Sequence, residues 1–318
     1  FFHRHPADSL LYPLIQSQLS ESIFFARILF CGIAGSLHLI DSNGNAEGGI
    51  CLFPYLWVRP IIILVCTVNN GIEGWVNLST FDDEPERLNS FVEEINRHKP
   101  DLLCFTGDMV TVGRAEAEPY TDILNKISAK YGILSVLGNH DFMIYRFKQS
   151  EDREKAVEEL VGYQENVLGW NLLRNDSAVI ESEDGSKITF IGVDNANFGN
   201  QGFPTIHKGN LKKAMGGTDG FRILLTHDPS HWRAEVLPET DIPLTLSGHT
   251  HSAQIRIFGW TPARWSFNET AGRYDSGNQT LYINVGLGCT APFRLGVNPE
   301  VTVITLRSAG RIMHISEK

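Results

Sequence analysis

Four short segments of this chain end in side chains that bind metal ions or move protons: Gly107-Asp108, Gly138-Asn139-His140-Asp141, His227-Asp228 and Gly248-His249-Thr250-His251. Each piece has an ordinary reading when taken alone. A Gly-Asp or Gly-Asn-His-Asp after a strand is common turn chemistry, because Gly and Asn tolerate left-handed backbone. His227 by itself could equally be a core histidine. Two histidines separated by one residue, as at His249 and His251, rarely serve packing alone. Imidazole, carboxylate and amide donors together suit Mn, Fe, Zn, Co or Ni rather than calcium.

Such residues act together only if the fold brings them together, and each cluster follows an apolar run. Leu102 to Phe105, Ile133 to Leu137, Ile223 to Thr226 and Ile242 to Leu246 are short and continuous, which predicts buried strands. Open α/β sheets gather ligands at the carboxyl ends of their strands, so four such loops can meet around one site. Ahead of the first run, Asp83, Pro85 and Glu86 read as a helix start, Leu88, Phe91, Val92 and Ile95 recur at helical spacing, and Pro100 stops the run. Glu151 to Val161 reads as a helix with a solvated charged face. Ser177 to Glu181 and Lys187 to Val193 flank Asp184-Gly185 as a hairpin. Leu281 to Val285 and Val301 to Leu306 suggest a second sheet packed on the first. Trp232, Trp260 and Trp265 are assigned to packing rather than substrate contact.

At 318 residues the chain approaches the upper limit for one packed core, so one main domain with an appendage is expected. The net charge of −10 argues against a general nucleic-acid partner, but not against a phosphorylated small molecule or lipid. No partner protein is identifiable. Five dispersed cysteines without a CxxC pair indicate neither a disulfide framework nor a zinc ribbon. Composition breaks near residue 80: before it there are three arginines, no lysine and three of the five cysteines. We therefore divide the chain into an atypical N-terminal segment, 1–77, and a main domain, 78–318. Residues 23–40 and 50–68 approach the length of a membrane span, although Arg27, Arg59, Pro54 and Pro60 interrupt them. Membrane association through this segment is one expectation and a cytoplasmic location the other. No cleavable leader is recognised, and Phe1 in place of Met leaves the natural N-terminus open.

Taken in order, the four clusters resemble the calcineurin-like metallophosphoesterase family. Val193-Asp194, Gly286-Leu287-Gly288 and Pro292-Phe293-Arg294-Leu295-Gly296 are similar to its bacterial branch of UDP-2,3-diacylglucosamine hydrolase-like enzymes. The resemblance implies an α/β, four-layer αββα sandwich, two mixed sheets face to face with helices outside, and two divalent metal ions. It implies hydrolysis of phosphomonoesters or phosphodiesters by a metal-bound hydroxide, without a covalent enzyme intermediate. Two cations about 3.5–4 Å apart can share such a nucleophile and clamp the phosphate. Carried over residue by residue, Asp108 bridges the metals, Asn139, His227 and His249 complete one site, and His251 belongs to the other. His140 acts on the leaving oxygen with Asp141 as orienting partner, and Arg294 contacts the substrate phosphate.

The departure from the family is upstream. Its first strand ends in Asp-x-His, whereas here that position is read as Trp75-Val76-Asn77-Leu78, and Asp82, Asp83 and the permuted His38-Leu39-Ile40-Asp41 are poor substitutes. Three explanations follow: a shifted reading frame, a one-metal enzyme, or a catalytically impaired or inactive protein that binds phosphate ligands or a partner. We favour the shifted frame. Resequencing the coding DNA should then reveal an Asp-x-His pattern in another frame just before the Leu78 codon, and an uninterrupted frame without one overturns that explanation.

Overall fold

Leu102–Phe105 is apolar at every position because both faces of the strand it forms are covered. Leu102 and Cys104 point into one core while Leu103 and Phe105 point into another. The same alternation recurs in neighbouring strands and builds the layers. The computed structural model describes residues 27–31, 36–40, 61–66, 81, 85–183, 185–202, 204–288 and 293–307.

The first sheet has seven strands, in the order β2 (Ser36–Ile40), β1 (Arg27–Cys31), β13 (Thr302–Arg307), β3 (Ile61–Cys66), β4 (Leu102–Phe105), β5 (Ile133–Ser135) and β6 (Asn171–Leu172). The second has six, in the order β11 (Gly272–Ser276), β12 (Gln279–Ile283), β10 (Leu244–Ser247), β9 (Phe221–Leu225), β8 (Lys187–Gly192) and β7 (Asp176–Glu181). Both are mixed: β3 to β6 run parallel while β13 is antiparallel to β3, and β8, β9, β10 and β12 run parallel while β7 and β11 are antiparallel edges.

Three apolar clusters separate four layers. Ile63, Leu102, Cys104, Phe190, Ile223 and Leu246 lie between the sheets. Outside the first sheet, helices α1 (Pro85–Arg97) and α2 (Ser150–Gly162) place Leu88, Phe91, Val157 and Leu160 against Leu103 and Phe105. Outside the second, Leu211, Trp232 and Val236 cover Ile191, Leu224 and Ile283. The fold is the αββα sandwich.

One strand assignment is corrected. Leu281 to Val285 does enter the second sheet, but the last apolar run becomes β13 in the middle of the first. Its residues alternate, Val303 facing the helices and Ile304 and Leu306 facing the other sheet, so the run marks a doubly covered strand. Periodicity records that covering and not which neighbours provide it.

The strand paired with β4 ends at Cys66, in register with Phe105. Residues 67–80 contain neither Asp nor His. Trp75 to Leu78, Asp41, Asp82, Asp83 and Asp184 lie outside the described residues. The described parts of the stretches 23–40 and 50–68 are strands of the first sheet, and no described helix is long and apolar enough to cross a membrane.

Phe190 is 1% exposed between the sheets, and Val179, on an edge strand, is 58% exposed. Phe190→Ala should therefore lower unfolding stability by about 3–5 kcal/mol and Val179→Thr by less than about 0.5 kcal/mol. Urea titrations of both variants check this, and equal losses would contradict the layer assignment.

Candidate metal centre

β4 and β5 are neighbours in one sheet and β9 and β10 in the other, so the loops after them face each other at one end of the sandwich. The chain turns sharply out of β4 through Gly107 at φ 99° and Asp108 at φ 59°. A left-handed conformation is unfavourable for a non-glycine residue and is held here by its surroundings. His249 and His251 also have positive φ, at 71° and 48°. Glycine is required where the loops touch. A β-carbon on Gly107 would lie 2.6 Å from the Gly138 nitrogen, and one on Gly138 would lie 2.1 Å from Asp108 Oδ1.

Asp141 holds this crossing together. Its Oδ2 accepts from the backbone N–H groups of Asp108 at 2.7 Å and Gly138 at 2.9 Å, and its Oδ1 from those of Met109 at 2.8 Å and Val110 at 3.1 Å. Asp141, expected to orient His140, has its carboxylate occupied by four backbone donors and clamps the Asp108 and Asn139 loops to each other. Burial and the adjacent Asp108 charge raise its pKa, against the pull of those donors.

The histidine protons can be assigned from their acceptors. His227 Nδ1 lies 2.7 Å from the carbonyl oxygen of Thr106, which can only accept, so Nδ1 carries the proton and Nε2 a lone pair. His249 Nε2 lies 3.0 Å from Gln201 Oε1, which places its proton on Nε2 and leaves the lone pair on Nδ1. Those two lone-pair nitrogens are 3.1 Å apart, and His227 Nε2 is 2.9 Å from Asp108 Oδ2. Asp108 Oδ2 is fully buried, and His227 Nε2 is the polar neighbour that faces it. Donor atoms of Asp108, His227 and His249 all lie within 4.8 Å of one another. A carboxylate oxygen and two imidazole nitrogens converging in one buried place are a fit for a cation, which would take the place of the proton that Asp108 draws onto His227.

Burial opposes ionisation of Asp108, yet the imidazoles, His227 first, hold its carboxyl well below the usual range. Burial disfavours a charged His227, and the Asp108 carboxylate outweighs it and raises the pKa. Burial lowers His249 despite Asp228 nearby. The remaining expected residues surround this set. Asn139 Oδ1 is buried and unpartnered, an amide oxygen available as a ligand. His140 Nδ1 is likewise unpartnered, and burial pushes this imidazole down to about 4, so it is neutral near pH 7. Both ring nitrogens of His251 are buried without hydrogen-bond partners, and burial, then the Arg294 charge, holds its pKa well below the usual value.

Arg294, expected to contact the substrate phosphate, lies near His251. Its Nη atoms donate to the backbone carbonyls of Val285, Gly286, Gly288 and Asn298. The guanidinium therefore braces the turn after β12.

Two positioning residues had no sequence signal. Tyr145 donates its hydroxyl to the Pro204 carbonyl at 2.7 Å and accepts from Asn139 Nδ2 at 3.3 Å, which fixes the amide and leaves its buried oxygen unpartnered. Its ring packs on His140 at 4.6 Å. Burial and then Asp108 push the phenol up to about 12, so it remains a donor. Gln201 donates to Asp228 Oδ2 at 2.7 Å and receives from His249, fixing that ring. Neither belongs to a spacing pattern. Only the loops' tertiary approach makes them partners.

A family profile described as calcineurin-like phosphoesterase matches residues 81–253. The chain is 33% identical over 233 residues to the uncharacterized metallophosphoesterase YkuE of Bacillus subtilis, covering 70% of this chain and 73% of the relative. It is 25% identical over 213 residues to phosphodiesterase YaeI of Escherichia coli, covering 65% and 71%. A transmembrane protein with metallophosphoesterase domain from Bos taurus is 28% identical over 228 residues, 70% of this chain, and the match spans 49% of that relative's length.

Asp141→Asn would set an amide NH₂ against backbone donors. It should lower unfolding stability by about 2–4 kcal/mol and weaken Mn binding in calorimetric titration. A variant as stable and as metal-avid as the parent contradicts the clamp.

Proposed function

This chain belongs to the calcineurin-like phosphoesterase family, metal-dependent hydrolases of phosphoric ester bonds, and from that premise we propose that it cleaves phosphomonoesters or phosphodiesters at the Asp108, Asn139, His227 and His249 centre. The observation that carries the reading is the convergence of buried donor atoms of Asp108, His227 and His249 within 4.8 Å of one another, with His227 Nε2 and His249 Nδ1 3.1 Å apart. The chemistry that a divalent Mn, Fe, Zn, Co or Ni ion supplies in such a setting is acidification of water and neutralisation of charge on phosphoryl oxygens. The name of the E. coli relative, a phosphodiesterase, supports including diesters.

The chain's own groups divide the remaining work. Thr106 and Gln201 hold the two imidazoles in the tautomers that direct lone pairs inward. Tyr145 fixes the Asn139 amide. His140, neutral and anchored by its backbone N–H to Asp108 Oδ1 at 3.0 Å, offers an imidazole proton to a phosphoryl or leaving-group oxygen. Asp108 and His251 remain to serve a second cation, the position whose Asp-x-His is absent from residues 67–80. That absence favours the alternative of a phosphate-binding protein without turnover strongly enough to be tested.

With added Mn, the purified chain is expected to hydrolyse p-nitrophenyl phosphate or its bis ester, and chelation should abolish turnover. Asp108→Asn and His249→Ala should each lower kcat/KM roughly a hundredfold or more. Phosphate binding without turnover in any of the five metals would establish the non-catalytic alternative.

A further inference from the structure

The loop that follows the ligand histidines ends in exposed apolar side chains. Ile257, Phe258, Trp260, Trp265, Phe293 and Leu295 are all exposed, Trp265 to 81% and Phe258 completely. They form one surface. Ile257 and Trp260 exchange backbone hydrogen bonds of 2.9 and 3.0 Å across a tight turn, and the Trp260 and Trp265 rings meet at 5.6 Å. Leu295 is bound to the same loop, accepting from the Arg256 N–H and donating to the Gln254 carbonyl, both at 2.8 Å.

Phe258 and Gly259 occupy the turn tip at φ 49° and 81°. Two consecutive left-handed residues are the geometry of a type I′ turn, which Asn-Gly makes at least cost. Phenylalanine in the first of these places is backbone-strained and buries nothing within the chain. Packing inside the protein therefore gives no reason for it, whereas an apolar phase outside does.

The charges say which phase. Arg264 is exposed beside Trp265, and residues 249–268 contain no Asp or Glu, in a chain of net charge −10. Tryptophan rings suit the headgroup level of a bilayer, and the exposed Arg264 beside them complements anionic lipid. We propose that this turn, with Phe293 and Leu295, docks on an anionic lipid–water interface, Phe258 and Trp265 entering the headgroup region. The loop is tied to the metal centre at both ends. It begins at His251, and Phe267 near its close packs on the His249 ring at 5.3 Å. Docking thus sets the centre beside the headgroups. The substrate class that follows, resting on the phosphoesterase reading above, is a phosphoester of an amphiphile held in that interface.

The test uses the full chain with vesicles of phosphatidylcholine alone or mixed with phosphatidylglycerol, read by co-sedimentation and tryptophan fluorescence. Binding is expected on the anionic vesicles, weakening with salt, and the double variant Phe258→Ser, Trp265→Ser should lower the partition coefficient about tenfold or more. Its thermal midpoint and its turnover of the soluble bis ester should match the parent. The proposal is overturned if the parent stays in solution. It is equally overturned if the double variant binds as tightly as the parent, which assigns binding to another segment, or if the patch mediates self-association in place of lipid binding. Failure of soluble-ester turnover in the parent would instead sink the phosphoesterase reading, and vesicle binding would still decide the docking surface.

Discussion

The hydrogen bond from His227 Nδ1 to the Thr106 carbonyl, 2.7 Å long between residues 121 positions apart, is the constraint on which the centre depends. Thr106 follows β4 in the first sheet and His227 follows β9 in the second, so the bond joins the two sheets at their carboxyl ends. It also decides chemistry. By taking the proton onto Nδ1 it leaves the Nε2 lone pair directed at Asp108 Oδ2 and His249 Nδ1. A histidine held by the other nitrogen would present an N–H to those atoms and satisfy them without a cation.

The surrounding loops hold geometry that a free peptide would leave. Asp108, His249 and His251 all have left-handed backbone, and Gly107 and Gly138 approach so closely that a methyl group on either would collide with backbone or with Asp108 itself. Such conformations persist where surrounding structure over-determines them. Here two parallel strand pairs buried on both faces and the four backbone donors gathered by Asp141 provide that support. Rigidity of this kind presents ligands without the entropy cost of ordering them at each binding event.

Charge is distributed unevenly for a purpose that the average conceals. The centre buries Asp108, Asp141 and Asp228 near four imidazoles, and the adjoining rim carries the exposed Arg264 and is free of acids over residues 249–268. Anionic phosphoryl groups and anionic surfaces thus meet an approach unlike the rest of an acidic chain.

The strands before Asp108, Asn139, His227 and His249 were legible because doubly buried strands must be apolar throughout, and the ligand types were legible because each stands immediately after such a run. Pairing was not. Nothing in Thr302–Arg307 distinguishes a place beside β3 in the first sheet from a place in the second, since both environments demand the same side chains. Asp141 and Arg294 were identified as functional by type, yet their roles depend on which atoms reach them: backbone N–H groups surround one and backbone carbonyls the other. Tyr145 and Gln201 act across loops separated from their partners by up to 59 residues. Composition and local pattern therefore determined the layers and the ligand identities by themselves, because burial acts residue by residue. Tautomers, clamps and strand partners were decided by the tertiary structure alone, because hydrogen-bond direction exists only between groups that folding has brought together.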